Sequence, residues 1–160
     1  MKKFELTAEF VTNVFGKKLF RIKALVAFGD VEKGELGGFI EKEDNLSHSG
    51  DAWVSGNARV YGDAQVSGNA WVSGDAQVYG NADYAVVTGF GRYFRATTFF
   101  RCKDKIIRVQ RGCFYGDLAQ FREIVKKTHG DSKYAKEYLA IADLMELHFS
   151  DEEENQEAAK

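Results

Sequence analysis

The chain has 160 residues, and 22 Lys and Arg against 24 Asp and Glu give it a formal net charge of −2. This near balance gives no long-range attraction for a polyanion. The sequence has no N-terminal apolar segment and no apolar run of membrane-span length, so it predicts a cytoplasmic protein without membrane contact. Its two cysteines, Cys102 and Cys113, fit no metal spacing, and we expect them to be reduced thiols in that compartment.

The N-terminal residues 1–37 are rich in β-forming residues. Residues 4–6, 10–15 and 19–26 read as strands, and the Gly-Lys-Lys sequence at 16–18 suggests a turn between them. We expect this segment to form an N-terminal β-hairpin that caps the next part of the chain.

Residues 50–85 repeat with a period of six. Written from Gly50, the hexads read GDAWVS, GNARVY, GDAQVS, GNAWVS, GDAQVY and GNADYA. A fixed short period is typical of stacked units that bury one face against each other, and Ala and Val two positions apart suit strands that point both inward. The pattern predicts a short left-handed hexapeptide β-helix of two to three coils over residues 38–85.

In such a fold three hexads make one coil, so residues eighteen apart lie above one another. Trp53 then lies over Trp71, and Tyr61 lies over Tyr79 on a neighbouring face. Arg59 shares the outward slot of the tryptophans. In-register aromatic pairs on a surface favour contact with a partner, although flanking segments could instead fold over them.

The repeat is expected to begin before its regular part. Gly38, Asp44 and Gly50 keep the six-residue step, which places Ile40 and Leu46 in the Ala slot. On the same count His48 occupies the inward Val slot of a degenerate first coil.

The C-terminal part, residues 86–149, reads as strands followed by two helices. Strands are expected at 84–87, 93–102 and 106–109, with a turn at 103–105 that makes a C-terminal β-hairpin. Asp117 with Gln120 resembles a capping box that opens a helix ending near His129, and a second helix should run from Ser132 to about residue 149. Residues 150–160 are expected to be an acidic, disordered tail. The fold class is therefore mainly β with C-terminal α, in one compact domain.

Basic residues concentrate between 90 and 127, interleaved with aromatic ones. This pattern could form a nucleic-acid groove, but a strand with its aromatics inward and its cations outward is favoured. A related alternative is an oligomer that sequesters a small ligand, such as a signalling nucleotide, near Arg92, Arg95 and Arg101.

Catalytic signatures are sparse. Hexapeptide-repeat proteins resemble acyltransferases that use acyl-CoA and a catalytic histidine. The resemblance implies acyltransferase activity as an alternative to a purely binding role. The three histidines, His48, His129 and His148, lie outside the regular hexads. The sequence predicts no catalytic residue, no cofactor and no metal site.

Beyond the hexads, four kinds of short segment are distinctive in order and sequence: residues 20–25, 34–40 with 43–47, 91–94 and 112–116. Together with the hexads, these segments resemble a family of small hexapeptide-repeat proteins of phages and prophages, labelled polymer-forming cytoskeletal or YdcK-like. The resemblance implies a phage-encoded accessory protein in a bacterial host cell. We expect a non-enzymatic protein that binds a host protein or protein complex, in the manner of an anti-CRISPR inhibitor, and that forms a homodimer or homotrimer. Trp53, Trp71, Tyr61 and Tyr79 are the predicted contact residues.

Overall fold

The fold is described from a computed structural model for residues 2–91 and 95–150. These residues form three β-sheets and two α-helices. The elements in chain order are β1 Phe4–Thr12, β2 Lys18–Ala24, β3 Leu36–Ile40, β4 Trp53–Val54, β5 Arg59–Val60, β6 Trp71–Val72, β7 Gln77–Val78, β8 Tyr84–Val87, β9 Thr97–Arg101, β10 Ile107–Arg111, β11 Phe114–Asp117, α1 Leu118–His129 and α2 Lys133–His148.

The largest sheet has five strands in the order β1-β2-β3-β5-β7. The predicted N-terminal hairpin is present, since β1 and β2 pair antiparallel and a turn over residues 13–17 joins them. β3 also pairs antiparallel with β2, but on its other side it pairs parallel with β5. The N-terminal strands and two of the hexad strands are thus joined by one continuous set of hydrogen bonds.

The hexads pair in parallel across the predicted eighteen residues. Trp53 pairs with Trp71 in the small sheet β4-β6, and Val60 pairs with Val78 where β5 meets β7. The Ala and Val residues of the first five hexads all have at most 1% of their surface exposed. The glycines that open these five hexads have φ between 61° and 71°, a left-handed conformation that glycine adopts without steric cost and that turns the chain at each hexad.

The predicted fold class, a left-handed hexapeptide β-helix capped by separate hairpins and helices, is wrong for this chain. The described residues form three separate sheets, of five, four and two strands, together with two helices. The hexad strands are divided between two of these sheets. The physical reason is that β3 bonds to β2 and β5 at once, so the N-terminal strands extend a hexad sheet sideways instead of capping a stack.

The predicted register of the first, degenerate repeat is also wrong. Ile40 pairs with Val60, and Leu46 pairs with Val66, so both occupy the Val slot and not the Ala slot. The offset here is twenty residues instead of eighteen. Ile40 and Leu46 are themselves six residues apart, so the two extra residues lie between Leu46 and Val54, where the offset returns to eighteen. The buried Asn45, in a short 3-10 turn at Glu43–Asn45, donates side-chain hydrogen bonds to the carbonyls of Gly62 and Ala64 at 3.2 and 2.8 Å.

The four-stranded sheet β11-β10-β9-β8 joins two hydrophobic cores. Alternate side chains of β9 point to opposite faces, so Phe100 enters the core formed by the hexads while Phe99 enters the core beneath the helices. The second core includes Phe121 of α1 and Tyr138 of α2. β9 is therefore covered on both faces and ties the two halves of the molecule together.

Both predicted helices are confirmed. The Asp117 side chain accepts a hydrogen bond from the backbone N–H of Gln120 at 2.8 Å, and the Gln120 side chain accepts one from Asp117 N–H at 2.9 Å. Ser132 caps α2 in a similar way through Ala135 N–H. β11 was not expected from the sequence, and the acidic tail from residue 151 onward lies outside the described residues. Within the described ranges, neither helix is long and apolar enough to cross a membrane.

The predicted division into residues 1–37, 38–85, 86–149 and 150–160 stays a prediction. β3 spans its first boundary and β8 spans its second.

Candidate binding surface

Two neighbouring tyrosines lie on the outer face of the hexads. The ring centroids of Tyr61 and Tyr79 are 6.0 Å apart with a tilt of 31° between the rings. Tyr79 keeps 57% of its surface exposed, and Tyr61 is half-buried. Arg59, half-buried two residues before Tyr61, lies beside Gln77 in the β5-β7 pair. We call Arg59, Tyr61 and Tyr79 the tyrosine surface.

The backbone beneath the tyrosine surface is fixed by a buried carboxylate. Asp83 is 5% exposed and accepts hydrogen bonds from the backbone N–H groups of Tyr79 and Gly80, each at 3.1 Å. Its other oxygen accepts from Arg101 Nε at 3.1 Å. Burial and the nearby Asp83 charge raise the pKa of Tyr61, so its phenol stays protonated and can donate a hydrogen bond at neutral pH.

The prediction that Trp53 faces outward is wrong. Trp53 has no exposed surface and lies in the hexad core, with the edge of its ring against Phe28 at a centroid distance of 5.3 Å. The N-terminal segment covers it so closely that a Cβ on Gly37 would lie 2.7 Å from the Trp53 ring. Flanking residues therefore remove one of the four predicted contact residues from the surface.

Trp71, by contrast, is half-buried and lies at the edge of an open cleft. Its indole N–H donates to Ser55 Oγ at 3.0 Å, and its backbone N–H donates to Thr98 Oγ1 at 2.9 Å. The first bond fixes the indole against the hexads, and the second fixes the Trp71 backbone to β9. The cleft has a volume of about 710 Å³, within the range typical of small-ligand sites.

Three carboxylates line the same cleft: Asp30, Glu35 and Asp51. Sequence reasoning missed them as site residues. Asp51 could have been found, because it precedes Asn69 by eighteen residues and Asn69 also lines the cleft. Asp30 and Glu35 come from the loop before β3, and their position depends on tertiary packing that no sequence pattern indicated.

The predicted arginine cluster is not brought into one site. Arg95 lines the cleft beside Trp71, whereas Arg101 is held by Asp83 with its guanidinium 5.7 Å from the centre of the Phe149 ring. Arg92 lies outside the described residues.

The three histidines lie in different parts of the molecule. The His48 ring stacks on Phe4 at 4.2 Å and accepts a hydrogen bond from Lys3 N–H at Nδ1, 3.1 Å away, so its predicted place in a Val slot is wrong. His129 ends α1 against Tyr138, and His148 is the exposed last residue of α2. Within the described ranges, no three His, Cys, Asp or Glu side chains are grouped so that they could hold a metal ion.

A comparison with family models matches residues 64–80 to the YdcK Beta solenoid repeat. The match supports a relation to a YdcK-like family and includes Trp71 and Tyr79. It is confined to the middle of the hexads, while the described chain as a whole forms three separate sheets. A comparison with curated proteins gave no match.

Proposed function

We propose that this chain is a non-enzymatic binding protein that engages a macromolecular partner through the tyrosine surface. The observation that carries the proposal is the adjacent pair of half-buried Tyr61 and exposed Tyr79 on a backbone held by Asp83. Tyrosine contributes large contact area with few rotatable bonds and a hydroxyl that can hydrogen-bond at the edge of an interface.

The charge beside the tyrosines supports a protein partner. Arg59 lies close enough to Tyr61 for its positive charge to act on the phenol. Arg and Tyr are both enriched among residues that dominate binding energy at protein interfaces. The other side chains of this outer face are polar, as in the rim of a typical interface.

The sequence resemblance to phage and prophage proteins favours a more specific form of this proposal. In that form the chain is a phage-encoded factor in the bacterial cytoplasm, and its partner is a host protein or protein complex. Inhibition of a bacterial defence system such as CRISPR is the outcome we propose for that binding.

The test is affinity capture of partners from a bacterial lysate, read by mass spectrometry, with three forms of the full chain. They are the wild type, the double variant Tyr61→Ser/Tyr79→Ser, and the matched control Tyr134→Ser, which changes an exposed tyrosine on α2. We expect one host protein to be retained by the wild type and the control and lost with the double variant. Equal capture by all three forms, or capture of nothing by the wild type, would contradict the proposal.

A defence assay tests the specific form. Expression of the wild-type chain should lower CRISPR interference against a targeted phage, and the double variant should restore it. Unchanged interference with the wild-type chain would remove the defence-inhibitor form while leaving the binding proposal to the capture experiment.

A further inference from the structure

The cleft beside Trp71 combines an aromatic wall with an excess of negative charge. Among its lining residues, the three carboxylates of Asp30, Glu35 and Asp51 outnumber the single guanidinium of Arg95. The cleft is lined by residues other than those of the tyrosine surface, so a ligand bound in it would be independent of the proposed function.

Within the described ranges, no salt bridge involves Asp30, Glu35 or Asp51. Glu35 Oε1 accepts a long hydrogen bond from Glu32 N–H at 3.4 Å. The buried cation Lys3 interacts with Asp51 through space but donates its hydrogen bonds to the backbone carbonyls of Gly50 and Ala52. The carboxylates therefore keep oxygens that can accept hydrogen bonds from a bound group.

The indole gives the cleft its chemical preference. Tryptophan has the strongest attraction for a cation over its ring face, and the attraction grows where water is partly excluded. Trp71 is half-buried and held in place by Ser55 and Thr98, so little side-chain entropy is lost when a ligand binds.

We propose that this cleft binds an organic cation, a guanidinium or alkylammonium group, placed against the Trp71 indole and hydrogen-bonded by the surrounding carboxylates. Two sources carry this chemistry: an arginine side chain presented by a protein partner, and a free polyamine.

The chain contains only two tryptophans, which provides a direct readout. In a ¹H–¹⁵N spectrum of the full chain the indole N–H signals of Trp53 and Trp71 are assigned with Trp71→Leu. We expect the Trp71 signal to shift and saturate on titration with N-acetylarginine amide or spermidine, while the signal of buried Trp53 stays in place. Added NaCl should weaken the response. The two probes are compared by the concentration at which each half-saturates the Trp71 shift. A lower concentration for N-acetylarginine amide assigns the site to a protein arginine, and a lower concentration for spermidine assigns it to a polyamine.

The matched variants are Asp51→Asn and Asp63→Asn. Both change an exposed aspartate in the second slot of a hexad, but only Asp51 lines the cleft. Asp51→Asn should raise the dissociation constant about fivefold, and Asp63→Asn should leave it unchanged. The proposal is overturned if the Trp71 signal does not respond to either probe, or if the two variants weaken binding equally. Unchanged spectra elsewhere show that both variants are folded.

Discussion

Trp53 and Trp71 occupy the same slot of hexads eighteen residues apart, but other segments of the chain bury Trp53 more deeply than Trp71. The loop before β3 and Gly37 cover Trp53 completely, while Trp71 is half-buried and lines the cleft. The indole N–H of Trp53 is buried without a hydrogen-bond partner among the described residues. Trp53 is therefore a packing residue, and its unpaired indole N–H lowers the stability of the fold because it loses its hydrogen bonds to water.

This difference predicts an order of stabilities. Trp53→Ala should lower the free energy of unfolding by about 3–5 kcal/mol, because it leaves a large cavity in the hexad core. Trp53→Phe should cost less than about 1.5 kcal/mol, since it keeps most of the volume and removes the unpaired N–H. Trp71→Ala should fall between them. Urea unfolding of the three variants checks the order. If Trp53→Ala and Trp71→Ala lowered the free energy of unfolding equally, the difference in burial would not contribute to stability.

Lys3 is a buried cation at the N-terminal end of the same core. It is 4% exposed, and its ammonium donates to the Ala52 carbonyl at 2.6 Å and lies 4.5 Å from the centre of the Phe28 ring. Burial lowers the pKa of Lys3 from 10.5 to about 8, and the Asp51 charge opposes this shift.

The lowered pKa of Lys3 predicts a rise of stability with pH. Between the folded pKa of about 8 and the unfolded pKa of 10.5, the unfolded chain binds more protons than the folded chain, so the free energy of unfolding should increase across this window. The contribution of Lys3 to this slope should approach roughly 1 kcal/mol per pH unit. Urea unfolding from about pH 8 to about pH 9.5 measures the slope below the range in which tyrosines titrate.

The controls for this slope are two lysine variants. Lys3→Met should flatten it, while Lys2→Met, at an exposed lysine paired with Glu43, should not change it. The pKa of Cys102 is raised by burial, so Cys102 lowers stability with rising pH in the same window, but it does so equally in all three forms. The same slope in Lys3→Met as in the wild type would therefore contradict the assignment to Lys3.

At the scale of elements, the C-terminal sheet contacts the hexads through β9 and β11. Tyr115 of β11 reaches the hexad glycine Gly74, and its hydroxyl fills the space that a Cβ on that glycine would need. Gly68, one hexad earlier, has nearly the same φ of 65° but has no atom within 4 Å of such a Cβ. The two glycines differ only in whether another element covers them.

The pair gives a direct test of this contact. Alanine at either position is strained, because its Cβ disfavours a positive φ. Gly74→Ala must in addition displace the Tyr115 side chain. We expect Gly74→Ala to lower the free energy of unfolding by about 2 kcal/mol more than Gly68→Ala does. In a Tyr115→Ser background this difference should disappear. Equal costs in the wild-type background would mean that β11 does not lie against the hexads.

The helices and the pairing of the hexads could be predicted from the sequence, because both depend on local sequence signals. The capping residues Asp117 and Ser132 marked both helices, and the six-residue period marked which residues pair across eighteen positions. The two-residue slip before the hexads could not be read, since Ile40 and Leu46 are apolar and fit either inward slot. The joining of β3 to both β2 and β5 was equally invisible, because strand partners depend on tertiary packing.

At the scale of the whole molecule, the long hairpin β1-β2 ends in exposed apolar residues. Val14 and Phe15 at its tip are 93% and 75% exposed, and Phe10 on β1 is 46% exposed. β1 is also the edge strand of the five-stranded sheet, so its outer backbone groups are available to another strand.

The hairpin makes the predicted self-association testable. If the chain forms a homodimer or homotrimer through this tip, Phe15→Asp should shift the mass from light scattering toward that of a monomer. Leu144→Asp, at an exposed leucine of α2, should leave the mass unchanged. A wild-type chain that stays at 18.0 kDa at all concentrations would contradict the expectation.

The candidate sites are partly readable from the sequence for the same physical reasons. The eighteen-residue period placed Tyr61 beside Tyr79, and their ring centroids are 6.0 Å apart. Their role in binding stays a prediction. The acidic cleft was not, because two of its three carboxylates come from a loop whose docking depends on the whole fold.

The most direct measurement of the central proposal is the dissociation constant of the captured partner, purified and titrated into the full chain by calorimetry. The tyrosine surface predicts that Tyr61→Ser/Tyr79→Ser raises this constant at least about thirtyfold, as expected for residues that dominate an interface, while Tyr134→Ser leaves it unchanged. A double variant that is folded and binds the partner as tightly as the wild type would contradict the proposal.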